Sequence, residues 1–127
     1  LGAIGRLVAN AASEGLGMRV IGCDPYISVD SAWMLSRKVV HAKNDAEVFA
    51  QADYVTIHVP LNDKTRGMVN DKLLSLMKKG AMLINCARAG IIDEDAVRRI
   101  KAEIFDGETC IAEGLSDWVT IKEDSKA

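Results

Sequence analysis

LGAIGRLVANAASEGLGMRVIGCD, residues 1–24, is the stretch whose reading decides the fold. It sets a glycine pair at the head of a helical run, then a glycine-marked turn, a hydrophobic strand and an acid. Gly2-Ala3-Ile4-Gly5 matches the last two glycines of a G-x-G-x-x-G fingerprint, and Asp24 stands 19 positions after Gly5. That spacing suits recognition of a dinucleotide. Backbone N–H groups at a helix N-terminus take a pyrophosphate, and a carboxylate about 20 residues on takes ribose hydroxyls. The fingerprint's first glycine and its first strand would precede Leu1, so the sheet is expected to be incomplete, lacking that strand. Asp24 also has an ordinary alternative, a turn acid before Pro25.

Outward from this stretch, helix and strand signals alternate. Ile4, Leu7, Val8, Ala11 and Ala12 recur at helical spacing over Ile4 to Leu16, which predicts a helix with a narrow packing face, ended by Gly15 and Gly17. Arg19 to Cys23 reads as a strand, Val29 to Leu35 as a short helix and Lys38 to His41 as a short strand. Asn44-Asp45 would cap a helix over Ala46 to Gln51, and Tyr54 to Val59 reads as a strand buried on both faces. Asn70 would cap Asp71 to Lys79, Ala81 to Asn85 is a further buried strand, and Asp93 would cap Glu94 to Phe105. Thr109 to Ala112 is a candidate last strand. The order is that of a Rossmann-type, doubly wound parallel α/β sheet, with residues 1–121 as a partial dinucleotide-binding domain and 122–127 as a polar tail.

Composition narrows the function classes. The 127 residues are 49% hydrophobic with net charge −2 and carry no basic cluster, which argues against binding a nucleic-acid backbone. No apolar run approaches the ~20 residues of a membrane span. Cys23, Cys86 and Cys110 share no metal-ligand spacing and read as free thiols of a reducing cytosol, so no metal site is expected.

Ligands of doubly wound sheets gather at the carboxyl ends of the strands. Asp24, Val59-Pro60 and Cys86-Ala87-Arg88 all fall at such ends. Arg88 is the one strong catalytic candidate, because a guanidinium there can clamp a substrate carboxylate through two charge-assisted hydrogen bonds; its plainer role would be an ion pair. Asp93 and Glu94 read as first-turn acids of a helix. His58 reads as a core histidine bonded to backbone and His41 as a strand-end histidine. Asn62 and Thr65 read as turn residues in local caps, and Trp33 and Trp118 as packing or interface residues.

Five blocks, LGAIGRLVA, GMRVIGCDPY, ADYVTIHVPLNDKTRGMVN, LMKKGAMLINCARAG and IIDEDAV, together resemble the NAD-binding domain of the D-isomer-specific 2-hydroxyacid dehydrogenases. The likeness is closest to the phosphoglycerate dehydrogenase-like members and covers roughly Leu1 to Val97. It implies hydride transfer between NAD and a small 2-hydroxy acid, 3-phosphoglycerate-like and belonging to serine biosynthesis, in a cytoplasmic homodimer without nucleic-acid or membrane partners. Position by position it implies that Gly2, Ala3, Ile4 and Gly5 meet the pyrophosphate and Asp24 the adenosine ribose, favouring NAD over NADP. Pro60 and Thr65 would line the cofactor cleft, Cys86 and Ala87 the nicotinamide half, and Arg88 would orient the substrate carboxylate and keto oxygen. Asp117 corresponds to the family's Asp at the nicotinamide amide, and Glu123 is the candidate partner glutamate, without the usual Glu-Pro. No histidine follows His58, so the family's catalytic histidine would fall beyond Ala127, and the substrate-binding domain is absent. Ala89 replaces the first glycine of the usual Gly-Gly, a strained choice if that position needs positive φ. The 127-residue chain alone would then be inactive and marginally stable. A module of the same family that senses NAD or serves as a scaffold, without catalysis, is the alternative.

Overall fold

The computed structural model describes residues 1–104 and 120–121. The chain divides into two compact units, Leu1–Val48 and Phe49–Ala127.

In the first unit, helix α1 spans Ala3–Asn10 and runs on as a π-helical turn over Ala11–Gly15, where the Leu16 amide reaches back to the Ala11 carbonyl at 3.1 Å. Gly17, at φ 63°, takes the left-handed conformation that lets the Met18 amide close onto the Ala12 carbonyl at 2.9 Å. The helix runs where its spacing predicts but presents a different face. Gly5, Ala9 and Ser13 are buried, whereas Ile4 and Leu7 are 64% and 63% exposed. The buried face of this helix is thus made of its smallest side chains rather than its most apolar ones. A polar seam holds it to the connection after α2 (Val29–Trp33). Asn10 donates to the Met34 carbonyl at 2.9 Å and accepts from the Ser36 amide at 2.7 Å. Glu14 accepts from the Ser36 hydroxyl at 2.5 Å and from Lys38 Nζ at 2.8 Å. Strands β1 (Ile21–Gly22) and β2 (Val40–His41) pair in parallel.

Helix α3 (Asp45–Gln51) opens on an Asn44 cap with a return bond from Glu47 one residue further back than in a capping box. Asn44 Oδ1 accepts from the Glu47 amide at 2.9 Å, and the Glu47 carboxylate accepts from the Lys43 amide at 2.7 Å.

In the second unit, β3 (Tyr54–Ile57) and β4 (Met82–Asn85) pair in parallel, and β5 (Thr120–Ile121) joins β4 antiparallel. Strand β3 is not buried on both faces as its composition suggests. Val55 and Ile57 enter the core while Tyr54 is 55% exposed. Helix α4 stops at Leu74 rather than Lys79, because the Leu76 and Met77 amides tighten onto the Leu73 and Leu74 carbonyls three residues back. Helix α5 (Glu94–Ile104) starts from Asp93, whose Oδ1 accepts from the Asp95 and Ala96 amides. Phe49, Val55, Ile57, Leu74, Leu83, Ile91, Val97 and Ile100 make up most of the buried core.

The described strands thus form two sheets, β1-β2 and β3-β4-β5, rather than one. In the doubly wound order 3-2-1-4-5-6 the connecting strand is the one expected ahead of the glycine turn. No described residue supplies it. The antiparallel β5 is a further departure from an all-parallel sheet. The candidate strand over Thr109 to Ala112, the tail 122–127, Cys110 and Trp118 lie outside the described residues.

Candidate functional site

In the first unit, Gly2 is the extended residue before α1, and no side chain caps the helix. The first turn therefore presents its N–H groups through Gly2, Ala3 and Ile4, all exposed, while Gly5 is buried against the unit. A Cβ at Gly2 would meet nothing of the chain within 4 Å, so the chain's own packing does not demand a glycine there.

Asp24 stands beside this turn, just past β1. One carboxylate oxygen accepts from the amino group of Leu1 and the other from the Tyr26 amide at 2.9 Å. Burial alone would raise its carboxyl. The hydrogen bond from the Tyr26 amide acts the other way and favours the ionised form. An ionised carboxylate offers about four lone-pair directions, so two remain for a diol. Asp24 also edges a cavity of about 230 Å³ whose walls include Gly22, Ile27, Leu35 and Val39 and whose rim includes His41. A Cβ on Gly22 would come 3.0 Å from Leu1 Cδ1, so this glycine admits Leu1 beside the strand end. Cys23, next to Asp24, is pushed up by burial, by Asp45 and by Asp24, which keeps its thiol protonated. This mostly apolar pocket with one acid at its mouth suits a flat heterocycle attached to a sugar.

In the second unit, the segments after β3 and β4 meet. Pro60 and Thr65 belong to a turn in which the Thr65 hydroxyl donates to the Pro60 carbonyl at 2.6 Å and accepts from the Asn62 amide at 2.9 Å. Asn62 Oδ1 accepts from the Lys64 and Thr65 amides. This is the local capping that the sequence suggests, and it commits the Thr65 hydroxyl to backbone. The Gly67 amide then bonds to the Gly90 carbonyl at 2.8 Å, and a Cβ on Gly90 would crowd Leu61 at 3.3 Å.

Arg88 is exposed and extended, at φ −142° and ψ 142°, immediately before a 3-10 turn over Ala89–Ile91. Its Nη1 donates to the Ala87 carbonyl at 2.9 Å, and among the described residues it pairs with no carboxylate. Cys86 is exposed and Ala87 half-buried. Ala89 lies in helical geometry open to any L residue, so its Cβ is not strained. His58 is half-buried rather than a core residue, and its Nε2 meets the Thr56 hydroxyl at 2.8 Å; burial holds its imidazole below the ordinary value. Trp33 is 82% exposed and packs into no core. His41 is an exposed strand-end residue. Asp117 and Glu123 lie outside the described residues.

One residue that pattern reading passes over is Asn85, wholly buried at the end of β4. Its sequence signal is a lone amide closing an otherwise apolar strand. No group of acids, histidines and cysteines able to hold a metal occurs among the described residues.

The family model described as D-isomer specific 2-hydroxyacid dehydrogenase, NAD binding domain, matches residues 1–103. The chain belongs to this family. The D-3-phosphoglycerate dehydrogenase of Methanocaldococcus jannaschii is 43% identical over 97 residues, covering 76% of this chain and 18% of that protein. D-3-phosphoglycerate dehydrogenase 2, chloroplastic, of Arabidopsis thaliana is 45% identical over 98 residues, 77% of this chain and 15% of its own length. The NAD-complexed D-isomer specific 2-hydroxyacid dehydrogenase of Lactobacillus delbrueckii ssp. bulgaricus superposes with a TM-score of 0.69 at 32% identity, over 81% of this chain and 30% of that one. The chain therefore spans less than a fifth of the curated relatives it matches.

Membership of this family makes the fold a partial Rossmann-type domain and NAD its cofactor. The residues fit that group: an uncapped helix N-terminus for a pyrophosphate stands beside a carboxylate with open lone pairs. Among the described residues no helix is long and apolar enough to cross a membrane.

Proposed function

We propose that this chain is the NAD-binding portion of a longer cytoplasmic, homodimeric oxidoreductase acting on a small 2-hydroxy acid of the 3-phosphoglycerate type. The observation that carries the reading is Arg88, an exposed guanidinium at the carboxyl end of a parallel strand with no described carboxylate partner. When bound, NAD supplies the hydride acceptor or donor at C4 of its nicotinamide.

The chain's own residues divide the remaining work. The N–H groups of Ala3 and Ile4 hold the pyrophosphate at the mouth of α1, with Gly2 leaving the approach open and Gly5 letting the helix sit close to the strand. Asp24 accepts from the adenosine ribose hydroxyls and disfavours a 2′-phosphate by like charge. Pro60 and Thr65 line the cofactor cleft, Cys86 and Ala87 flank the nicotinamide half, and Asp117 binds the carboxamide. Arg88 takes the substrate carboxylate and draws charge onto the C2 oxygen, which readies C2 for hydride transfer. The proton on that oxygen is handled by a histidine outside these residues, with a glutamate, for which Glu123 is the candidate, supporting it. Domain limits of 1–121 and 122–127 go with this assignment.

The test is steady-state kinetics of the complete polypeptide with NAD and a panel of 3-phosphoglycerate, D-lactate and D-glycerate. Turnover selective for 3-phosphoglycerate is the expected result. NAD binding without turnover of any of them would replace the enzyme by a sensing module.

A further inference from the structure

We propose that Asn85 is the positioning residue for Arg88, a role that rests on the reading of Arg88 as the substrate-binding cation. Strand β4 ends at Asn85, and from there the ladder no longer partners the backbone. The following segment must expose a guanidinium without wandering. The Asn85 side chain is wholly buried and uses both ends of its amide on that segment. Its Oδ1 accepts from the Ala87 amide at 2.9 Å, and its Nδ2 donates to the Arg88 carbonyl at 2.8 Å. Only this orientation of the amide satisfies both partners. The two bonds fix the peptide groups on either side of the Ala87–Arg88 pair, and with them the direction in which the Arg88 side chain leaves the backbone.

The far end is pinned as well. The Arg88 carbonyl also accepts from the Ile91 amide at 3.3 Å, and Ile91 and Ile92 are buried in the core. Arg88 therefore stands between a hydrogen-bonded post and a hydrophobic anchor, its guanidinium bonded to the Ala87 carbonyl and paired with no carboxylate among the described residues. A buried amide is costly to keep unless fully satisfied, and a leucine would fill an apolar strand end more simply. The side chain required here must accept at one atom and donate at the next, in a space the size of an amide. Asparagine meets both needs; aspartate keeps the acceptor and loses the donor unless it is protonated.

The experiment uses the complete polypeptide with NAD and 3-phosphoglycerate and compares Asn85→Ala, Asn85→Asp and Arg88→Lys with the double variant Asn85→Asp/Arg88→Lys. Misplacing a substrate clamp by about an ångström costs up to ~100-fold in rate. The expected result is a rise of about tenfold or more in KM for the acid in each Asn85 variant, with the Kd for NADH within about threefold of the parent, since the pyrophosphate and ribose grips at Gly2–Gly5 and Asp24 stay intact and only the Ala87 edge of the nicotinamide half is touched. Asn85→Asp should recover toward the parent as pH falls, when its buried carboxyl is protonated and donates to the Arg88 carbonyl. In the Arg88→Lys background Asn85→Asp should add little, because both changes act on one contact. Should Asn85→Ala not fold, the near-isosteric Asn85→Asp reads the same effect. Unchanged acid KM in Asn85→Asp, or strictly additive losses in the double variant, overturns the role of Asn85. If Arg88→Lys itself leaves acid KM and kcat unchanged, the assignment of Arg88 fails instead, and the two failures are told apart by that single variant.

Discussion

Asp24→Ala isolates the ribose grip from the rest of the cofactor site. The Asp24 side chain is 20% exposed, and its two oxygens hold one donor each, the Leu1 nitrogen and the Tyr26 amide. Removing it frees the Tyr26 amide to an exposed position where water can replace the lost bond, so the folded chain should lose little stability. The cost falls on the ligand. A hydrogen bond to a charged group contributes about 1.5–3 kcal/mol, and with water competing at this rim a net loss of about 2 kcal/mol is reasonable. That corresponds to roughly 30-fold weaker NAD binding. For NADP the sign reverses. A like charge about 5 Å from the carboxylate is disfavoured by roughly 1–3 kcal/mol between interfacial and aqueous screening, and the variant is relieved of it. The two effects together, about 3–5 kcal/mol, should therefore raise the ratio of NADP to NAD affinity by roughly two to three and a half orders of magnitude. Calorimetric titration of NADH and NADPH into parent and variant measures both constants, with circular dichroism as the check on folding. An unchanged ratio would refute the reasoning, whatever happens to the absolute affinities.

Arg88→Lys in the complete polypeptide should raise KM for the acid by about tenfold, because an ammonium cannot reproduce the bidentate fork, and unaltered kinetics would remove Arg88 from the site. His58 gives a pH signature: burial lowers its folded pKa, so the unfolded chain protonates first, and the stability tied to neutral His58 is complete above about pH 6.5 and shrinks as pH falls toward the lowered value. Urea midpoints of His58→Gln should accordingly lose less between neutral and mildly acidic pH than those of the parent; equal slopes would contradict this. Leu83, wholly buried on β4, should cost about 2–5 kcal/mol as Leu83→Ala, read by denaturant unfolding, and a loss under 1 kcal/mol would mean that the core around β4 collapses onto the space.

How far the sequence carries can be seen element by element. Caps were legible because they depend on short-range chemistry: Asn44, Asn70 and Asp93 each accept from the amide two or three residues on, as their types foretell. Faces were less legible. Helix α1 buries Gly5, Ala9 and Ser13 and leaves Ile4 and Leu7 exposed, and no scale of apolarity ranks glycine and serine above isoleucine and leucine. Strand β3 looked buried on both sides because Tyr54 and Thr56 favour strands, yet β-propensity measures fit to a pleated surface, covered or not. The site shows the same division. Asp24 and the glycine pair could be found by spacing, since the ligand's length imposes it. Asn85 could not, because its partners are backbone groups whose positions exist only once the chain has turned.

This difference also explains why Ala89 is harmless where a glycine is usual. Had the path from β4 relied on glycine flexibility, a Cβ at this position would have strained it. Instead the path is set before Ala89 by the two bonds of Asn85 and after it by Ile91 and Ile92 in the core, with the Val69 amide on the Ile91 carbonyl at 3.2 Å. Between fixed ends, three residues of 3-10 turn span the gap in geometry that alanine adopts without cost. The tighter position is the next one, where a Cβ on Gly90 would stand 3.3 Å from the Leu61 side chain, which must give by a few tenths of an ångström. Tolerance at residue 89 and the demand for an amide at residue 85 are thus consequences of one arrangement, in which hydrogen bonds to the backbone, rather than glycine flexibility, hold Arg88 where a carboxylate can meet it.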